Sequence, residues 1–205
     1  MRTKNVVIAG VGGQGVILFA TTLANAALMS DLDVSVSEIH GMAQRGGSVV
    51  SQVRIGRKVY SPTIAEGRAD VIVGLEPLEA LRSIAFSNER TLALLNTRRI
   101  IPTTALLHGP KYPETEKIIE IFEKFCGSVL AIDALDLAKR CGSTRAQNMV
   151  LLGALAGLGA LPIASEAFAK GIAASVPRRA VGRNLEAFKL GAEFASSSKS
   201  LDMAR

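Results

Sequence analysis

Little freedom is left to a chain that begins as this one does. A short β-branched run, Asn5 to Ala9, breaks into Gly10-Val11-Gly12-Gly13-Gln14-Gly15, and Val16 to Met29 follows at once with helix-forming composition and helix length. Strand, glycine turn and helix in that order open an α/β fold. The six-residue turn reads GxGxxG, placed directly after a strand and directly before a helix, as a dinucleotide-binding turn requires. Its glycines let the backbone approach a phosphate, whose charge the free amides of the helix N-terminus stabilise. An acidic residue that would hold a ribose hydroxyl is due about 20 positions on, and Glu38 stands there at the end of the next strand. By spacing alone this is an NAD-dependent dehydrogenase. A glycine turn that only lets the first helix pack tightly on the sheet satisfies the same pattern.

The rest of the chain repeats the alternation. Val34 to Ile39 reads as a strand, Val49 to Ile55 with Lys58 to Tyr60 as a hairpin turning at Gly56-Arg57, and Ala69 to Leu75 as a buried strand. Pro77 then opens a helix carrying Leu78, Ala80, Leu81 and Ile84. Thr91 to Leu95 is a further buried strand, Arg98 to Ile101 an edge piece, Glu114 to Phe125 an amphipathic helix and Val129 to Ile132 the last strand. Parallel neighbours need crossovers of this length, so the expectation is a doubly wound, mostly parallel sheet over about 1–133. From Asp133 the pattern is helical: Thr144 caps Arg145 to Ala160, and Ile163 to Ala173 and Arg178 to Phe194 follow. Gly153 and Gly157, on one helix face, allow close backbone packing. A single domain over 1–195 is expected, with 196–205 as a frayed tail.

Composition removes several classes. Of 205 residues, 48% are hydrophobic and 20% charged, which suits a folded chain. Cys126 and Cys141 form no CxxC and cannot by themselves ligate an iron–sulfur cluster or a structural zinc. The net charge of +6 is scattered and aromatic residues are only 4%, so the stacking surfaces of nucleic-acid binders are not expected. An acidic partner or a phosphate-bearing ligand accounts for the charge equally well. The basic start at Arg2 and Lys4 before an apolar run imitates a secretory signal, but that run contains Gly12, Gly13, Gln14, Gly15 and Asn25. Met149 to Ala164 contains Pro162 and falls short of the ~20 residues that span a bilayer. The expectation is a cytoplasmic chain without membrane contact.

After Glu38 comes a second polar, glycine-rich loop, His40-Gly41-Met42-Ala43-Gln44-Arg45-Gly46-Gly47-Ser48, so two such loops make a crevice. The whole pattern resembles the gamma-type subunit, or domain three, of the 2-oxoacid:ferredoxin oxidoreductases, the beta subunit of indolepyruvate oxidoreductase among them. The matching segments are GVGGQG over 10–15, EIHGMAQRGGS over 38–48, Val53-Arg54-Ile55-Gly56, Ser61-Pro62, Ala69-Asp70-Val71, Glu76-Pro77 with Glu79-Ala80, and Asn184 with Ala187-Phe188 and Gly191. The resemblance implies a Rossmann-like domain with a C-terminal helical extension, required by the complex but bearing no cofactor itself. It also implies companion subunits that carry thiamine diphosphate, magnesium and iron–sulfur clusters, with ferredoxin as electron acceptor and coenzyme A and a 2-oxoacid as small-molecule substrates. The wording of the second loop is nearer the indolepyruvate branch, which points to an arylpyruvate.

The candidate ligand-binding residues are Gly12, Gly13, Gln14, Gly15, Glu38, His40, Arg45, Gly46 and Gly47. Arg45, flanked by glycines, is free to make a bidentate contact with a carboxylate or phosphate, or a salt bridge to a partner. His40 can donate near a substrate, although a lone histidine is more often a structural hydrogen-bonder. On the family reading Glu38 anchors its own loop. Glu76 is expected to point into the crevice at the carboxyl end of its strand. Arg178, Arg179, Arg183 and Lys189 give the last helix a basic side, for which solvation is the commoner explanation.

Overall fold

The computed structural model describes residues 2–41, 46–100 and 112–202, with side chains through Ser198. The strands are β1 (Lys4–Val11), β2 (Asp33–His40), β3 (Ser48–Gly56), β4 (Val71–Gly74), β5 (Leu92–Asn96) and β6 (Ser128–Ile132). They form one sheet in the order β2-β3-β1-β4-β5-β6. β1, β4, β5 and β6 are parallel neighbours, whereas β3 runs antiparallel to both β1 and β2. β1 is central and apolar, and Val6, Val7, Ile8 and Ala9 are fully buried because both faces of the sheet are covered.

One face packs against α1 (Val16–Leu28), α4 (Ala134–Arg140), α5 (Gln147–Gly157), α6 (Ser165–Ser175) and α7 (Val181–Asp202). The other packs against α2 (Pro77–Arg82) and α3 (Thr115–Phe125), where Ile118 and Phe122 meet Val7, Ile72, Ala93 and Leu95. The doubly wound sheet and the helical extension expected from the sequence are present. Gly153 serves close packing as anticipated: a Cβ there would overlap the carbonyl oxygen of Phe188, and one at Gly191 would overlap that of Val150.

Several local readings are corrected. The hairpin is β2–β3, because β3 finds antiparallel partners on both sides and leaves Lys58 to Tyr60 without a ladder. That segment is tied instead by the Val59 amide, which donates to Asp33 Oδ2 at 2.7 Å. Arg98 to Ile100 is not a strand, since its donors go to side chains: Arg98 N–H to Asn96 Oδ1 at 3.4 Å and Ile100 N–H to Glu76 Oε1 at 3.3 Å. Ile101, the end of that reading, lies outside the described residues. Thr144 does not cap α5, which begins at Gln147 behind Ala146 and stops before Gly159, a residue in the left-handed region at φ 64°. α7 starts after a 3-10 turn over Arg178–Ala180 and stays helical through the serines to Asp202.

Candidate functional site

The site is built at the carboxyl ends of β1, β4 and β5. As β1 ends, the chain turns through Gly13 at φ 104° and Gly15 at φ 84°, both in the region open mainly to glycine. Gln14 fixes this turn. Its Oε1 accepts from Val11 N–H at 2.7 Å, and its Nε2 donates to the Leu75 carbonyl at 2.9 Å. Asn96, buried at the end of β5, donates to the same carbonyl at 2.9 Å, so one acceptor fastens the ends of three strands. Gly15 has no room for a side chain, because a Cβ would overlap Asn148 Nδ2, which itself donates to the Gly15 carbonyl at 3.3 Å.

The second glycine loop is laced to the first. Gly12 N–H donates to the Gly47 carbonyl at 2.8 Å, and Gly46 N–H to the Gly12 carbonyl at 3.2 Å. Beneath them lies a cavity of about 370 Å³, rimmed by Gly12, Gly13, Gln14 and Gly46, floored by Leu75, Asn96 and Leu151, and faced by Thr144, Arg145 and Gln147. The crevice between two glycine loops is therefore formed. Another cavity, of about 390 Å³ and lined by Lys4, Asp70 and Arg90 among others, sits at the amino ends of the strands. Open α/β sheets bind ligands at the carboxyl ends, which favours the glycine crevice.

Not every expected residue converges there. Gly12, Gly13, Gln14 and Gly46 line the cavity, and Gly47 supports it through its backbone. Gly15 borders a smaller hollow of about 240 Å³ beside Val16 and Ile17. Glu38 and His40 are exposed on β2, opposite Ser51 and Val49 of β3. β3 thus stands between Glu38 and the glycine turn, two strand spacings or roughly 10 Å, where a dinucleotide fold would have them on neighbouring strands. Arg45 lies outside the described residues.

Arg145 is the residue the sequence reading passed over. The sequence pattern offers it only as the start of a helix, yet it is exposed at the cavity beside the glycine turn. The signal that could have found it is a cation just before a helix that packs on the first one. α5 and α7 run side by side in the same direction, Gly153 against Phe188 and Gly157 against Ala192, so the start of α7 lies at this end of the molecule. Arg178, Arg179 and Arg183, all exposed at that start, add to the positive potential around the crevice.

Glu76 does not serve the crevice. Its carboxylate, 1% exposed, caps α2 by accepting from Glu79 N–H at 3.0 Å, and it also accepts from Ile100 N–H and the Tyr112 hydroxyl. Burial, then the neighbouring carboxylate, pushes the Tyr112 hydroxyl well above the usual tyrosine range. Asp70 sits at the other end of β4, accepting from Asn5 N–H at 2.9 Å and facing Lys4 at 3.7 Å. Burial raises the Cys126 thiol, and Cys141 is buried against the Ala138 carbonyl. Among the described residues no three His, Cys, Asp or Glu side chains converge on a metal position. No helix of the described residues is long and apolar enough to cross a membrane.

Fold and site together define a Rossmann-like α/β domain with a glycine-lined, positively flanked crevice and no metal centre of its own among the described residues. Comparison with known proteins takes this further. The family model for pyruvate ferredoxin/flavodoxin oxidoreductase matches residues 5–194. The chain is 43% identical to indolepyruvate oxidoreductase subunit IorB of Archaeoglobus fulgidus, covering 95% of this chain and 96% of that one. It is 42% identical to the Pyrococcus horikoshii protein of that name, over 98% and 100%. Among solved structures, the gamma subunit of a keto/oxoacid ferredoxin oxidoreductase from Geobacter sulfurreducens superposes with a TM-score of 0.68 at 25% identity, covering 95% of this chain and 99% of that one. The chain belongs to the pyruvate ferredoxin/flavodoxin oxidoreductase family, as a gamma-type member.

Proposed function

We propose that this chain is the subunit without cofactors of a cytoplasmic, thiamine diphosphate-dependent 2-oxoacid:ferredoxin oxidoreductase, and that the complex acts on an arylpyruvate, indolepyruvate foremost. The reaction converts the 2-oxoacid and coenzyme A to acyl-CoA and carbon dioxide, and the electrons pass to ferredoxin. Thiamine diphosphate in a companion subunit supplies the electron sink for decarboxylation. The observation that carries the substrate assignment is a contrast among relatives. Those named for indolepyruvate are 43% and 42% identical over nearly their whole length, whereas one named for ketoisovalerate is 30% identical and matched over 35% of its length.

This chain's contribution is to hold an anion. Coenzyme A is the substrate that suits it: its phosphates match the glycine turn at Gly13 and the guanidinium of Arg145, and Leu75 and Leu151 offer an apolar floor. The Gln14 bridge keeps the glycine turn in place before the ligand arrives, which lowers the ordering cost of binding.

Anaerobic purification of a tagged chain, followed by thiamine and iron analysis and viologen reduction with several 2-oxoacids, tests the assignment. The expected result is a brown complex whose kcat/KM for indolepyruvate exceeds that for pyruvate, 2-oxoglutarate and 2-oxoisovalerate by at least about tenfold, or about 1.4 kcal/mol. Equal rates with an aliphatic 2-oxoacid overturn the substrate, and a colourless chain recovered alone overturns the subunit role.

A further inference from the structure

β2 stands at one end of the sheet, and Val59 N–H donates to Asp33 Oδ2 at its first residue. It is eight residues long and keeps unbroken register with β3 along its whole length. No strand of the described residues pairs with its other side. An edge of this kind presents a row of free N–H and C=O groups, and proteins ordinarily blunt it with Lys, Pro, a bulge or a short strand. β2 has none of these. It instead exposes Val36 and Ile39, at 36% and 56%, on opposite faces of the sheet. Its acidic side chains are Asp33 and Glu38, and it carries no Lys or Arg to balance them.

Charge selects the occupant. A second copy pairing edge to edge would add two more carboxylates, Asp33 and Glu38, and no Lys or Arg, so it offers this strand no opposite charge. We propose that β2 accepts an extended strand from a companion subunit, with Lys or Arg set against Asp33 and Glu38 and apolar side chains against Val36 and Ile39. Main-chain hydrogen bonds supply the affinity and the alternating side chains the selectivity. The added strand lies three strand spacings, roughly 14 Å, from β1, on the side of the sheet away from β4 and β5, so it holds the companion chain without entering the crevice. This inference rests on the subunit reading above.

Amide hydrogen exchange over residues 33–40 tests it, comparing the isolated chain with the anaerobically purified complex verified by thiamine content and iron–sulfur absorbance. The outward amides of β2 exchange freely in the isolated chain at every concentration and at least ~100-fold more slowly in the complex. Glu38→Lys releases the thiamine-bearing companion at a salt concentration where the wild type retains it, and Glu38→Gln falls between. A complex that retains its companion while β2 exchanges at the isolated-chain rate overturns the strand pairing and leaves the subunit role standing. Protection that appears in the isolated chain as its concentration rises also overturns it, in favour of a second copy. Recovery of no companion overturns the subunit role and this inference together.

Discussion

The glycines of the crevice and those of the helix pair put the same missing Cβ to opposite uses. A side chain at Gly13 or Gly46 would meet nothing within 4 Å, and both residues have positive φ, 104° and 77°. At Gly153 and Gly191 a side chain would land in the backbone of the facing helix. The first pair keeps a surface open to something outside the chain. The second is filled by the chain itself. Open glycines shape a place of approach and closed ones bring two backbones together, and the residue type alone does not tell them apart.

The contrast is most exposed to failure at α5 and α7. Gly153→Ala lowers stability by about 3 kcal/mol because the helices must part, even after the roughly 1 kcal/mol gained in helix propensity. The thermal midpoint falls by roughly 6–12 °C, and an unchanged midpoint would break the comparison. Gln14→Ala comes next, at about 2 kcal/mol in a denaturant titration, because it strips the side-chain acceptor from the Val11 amide and detaches the turn from Leu75. Gly13→Ala costs about 1 kcal/mol from its left-handed backbone alone, with no clash to add. A loss as large as at Gly153 would mean that the crevice glycine is also a packing residue.

Two smaller effects sharpen the picture. The folded state favours the neutral Tyr112 hydroxyl, so its contribution is whole below pH 10.0 and is lost as pH rises above it. Tyr112→Phe should flatten the alkaline limb of a midpoint-against-pH profile. Arg145→Ala, at an exposed position, should leave stability within about 0.5 kcal/mol of wild type. In the assembled complex it should raise the KM for coenzyme A about tenfold with kcat unchanged, the pattern of lost uniform binding. A fall in kcat with KM held would remove Arg145 from the anion site.

Much of this was legible in the residues. The strand, glycine turn and helix over 5–29 stand where the pattern puts them, as do the apolar strands at 71–74, 92–96 and 128–132 and the amphipathic helix at 115–125. Those elements announce themselves because each repeats one short period of burial. Failures cluster where the partner of a segment had to be known. The stretch Val49 to Ile55 reads as the first arm of a hairpin turning at Gly56-Arg57, yet it pairs with β1 on one side and β2 on the other. Glu76 looked like a crevice carboxylate because it ends a strand, and the donors that claimed it, Ile100 N–H and the Tyr112 hydroxyl, come from residues 24 and 36 positions away.

The sequence by itself determined the fold class, the glycine turn and the family, since each is written in local spacing and residue type. Tertiary structure decided three things: that β3 would separate Glu38 from the turn, that Gln14 and Asn96 would share the Leu75 carbonyl, and that Arg145 would come to face the crevice. Strand order and side-chain convergence depend on contacts between distant segments, and no local period encodes which segment will become a neighbour.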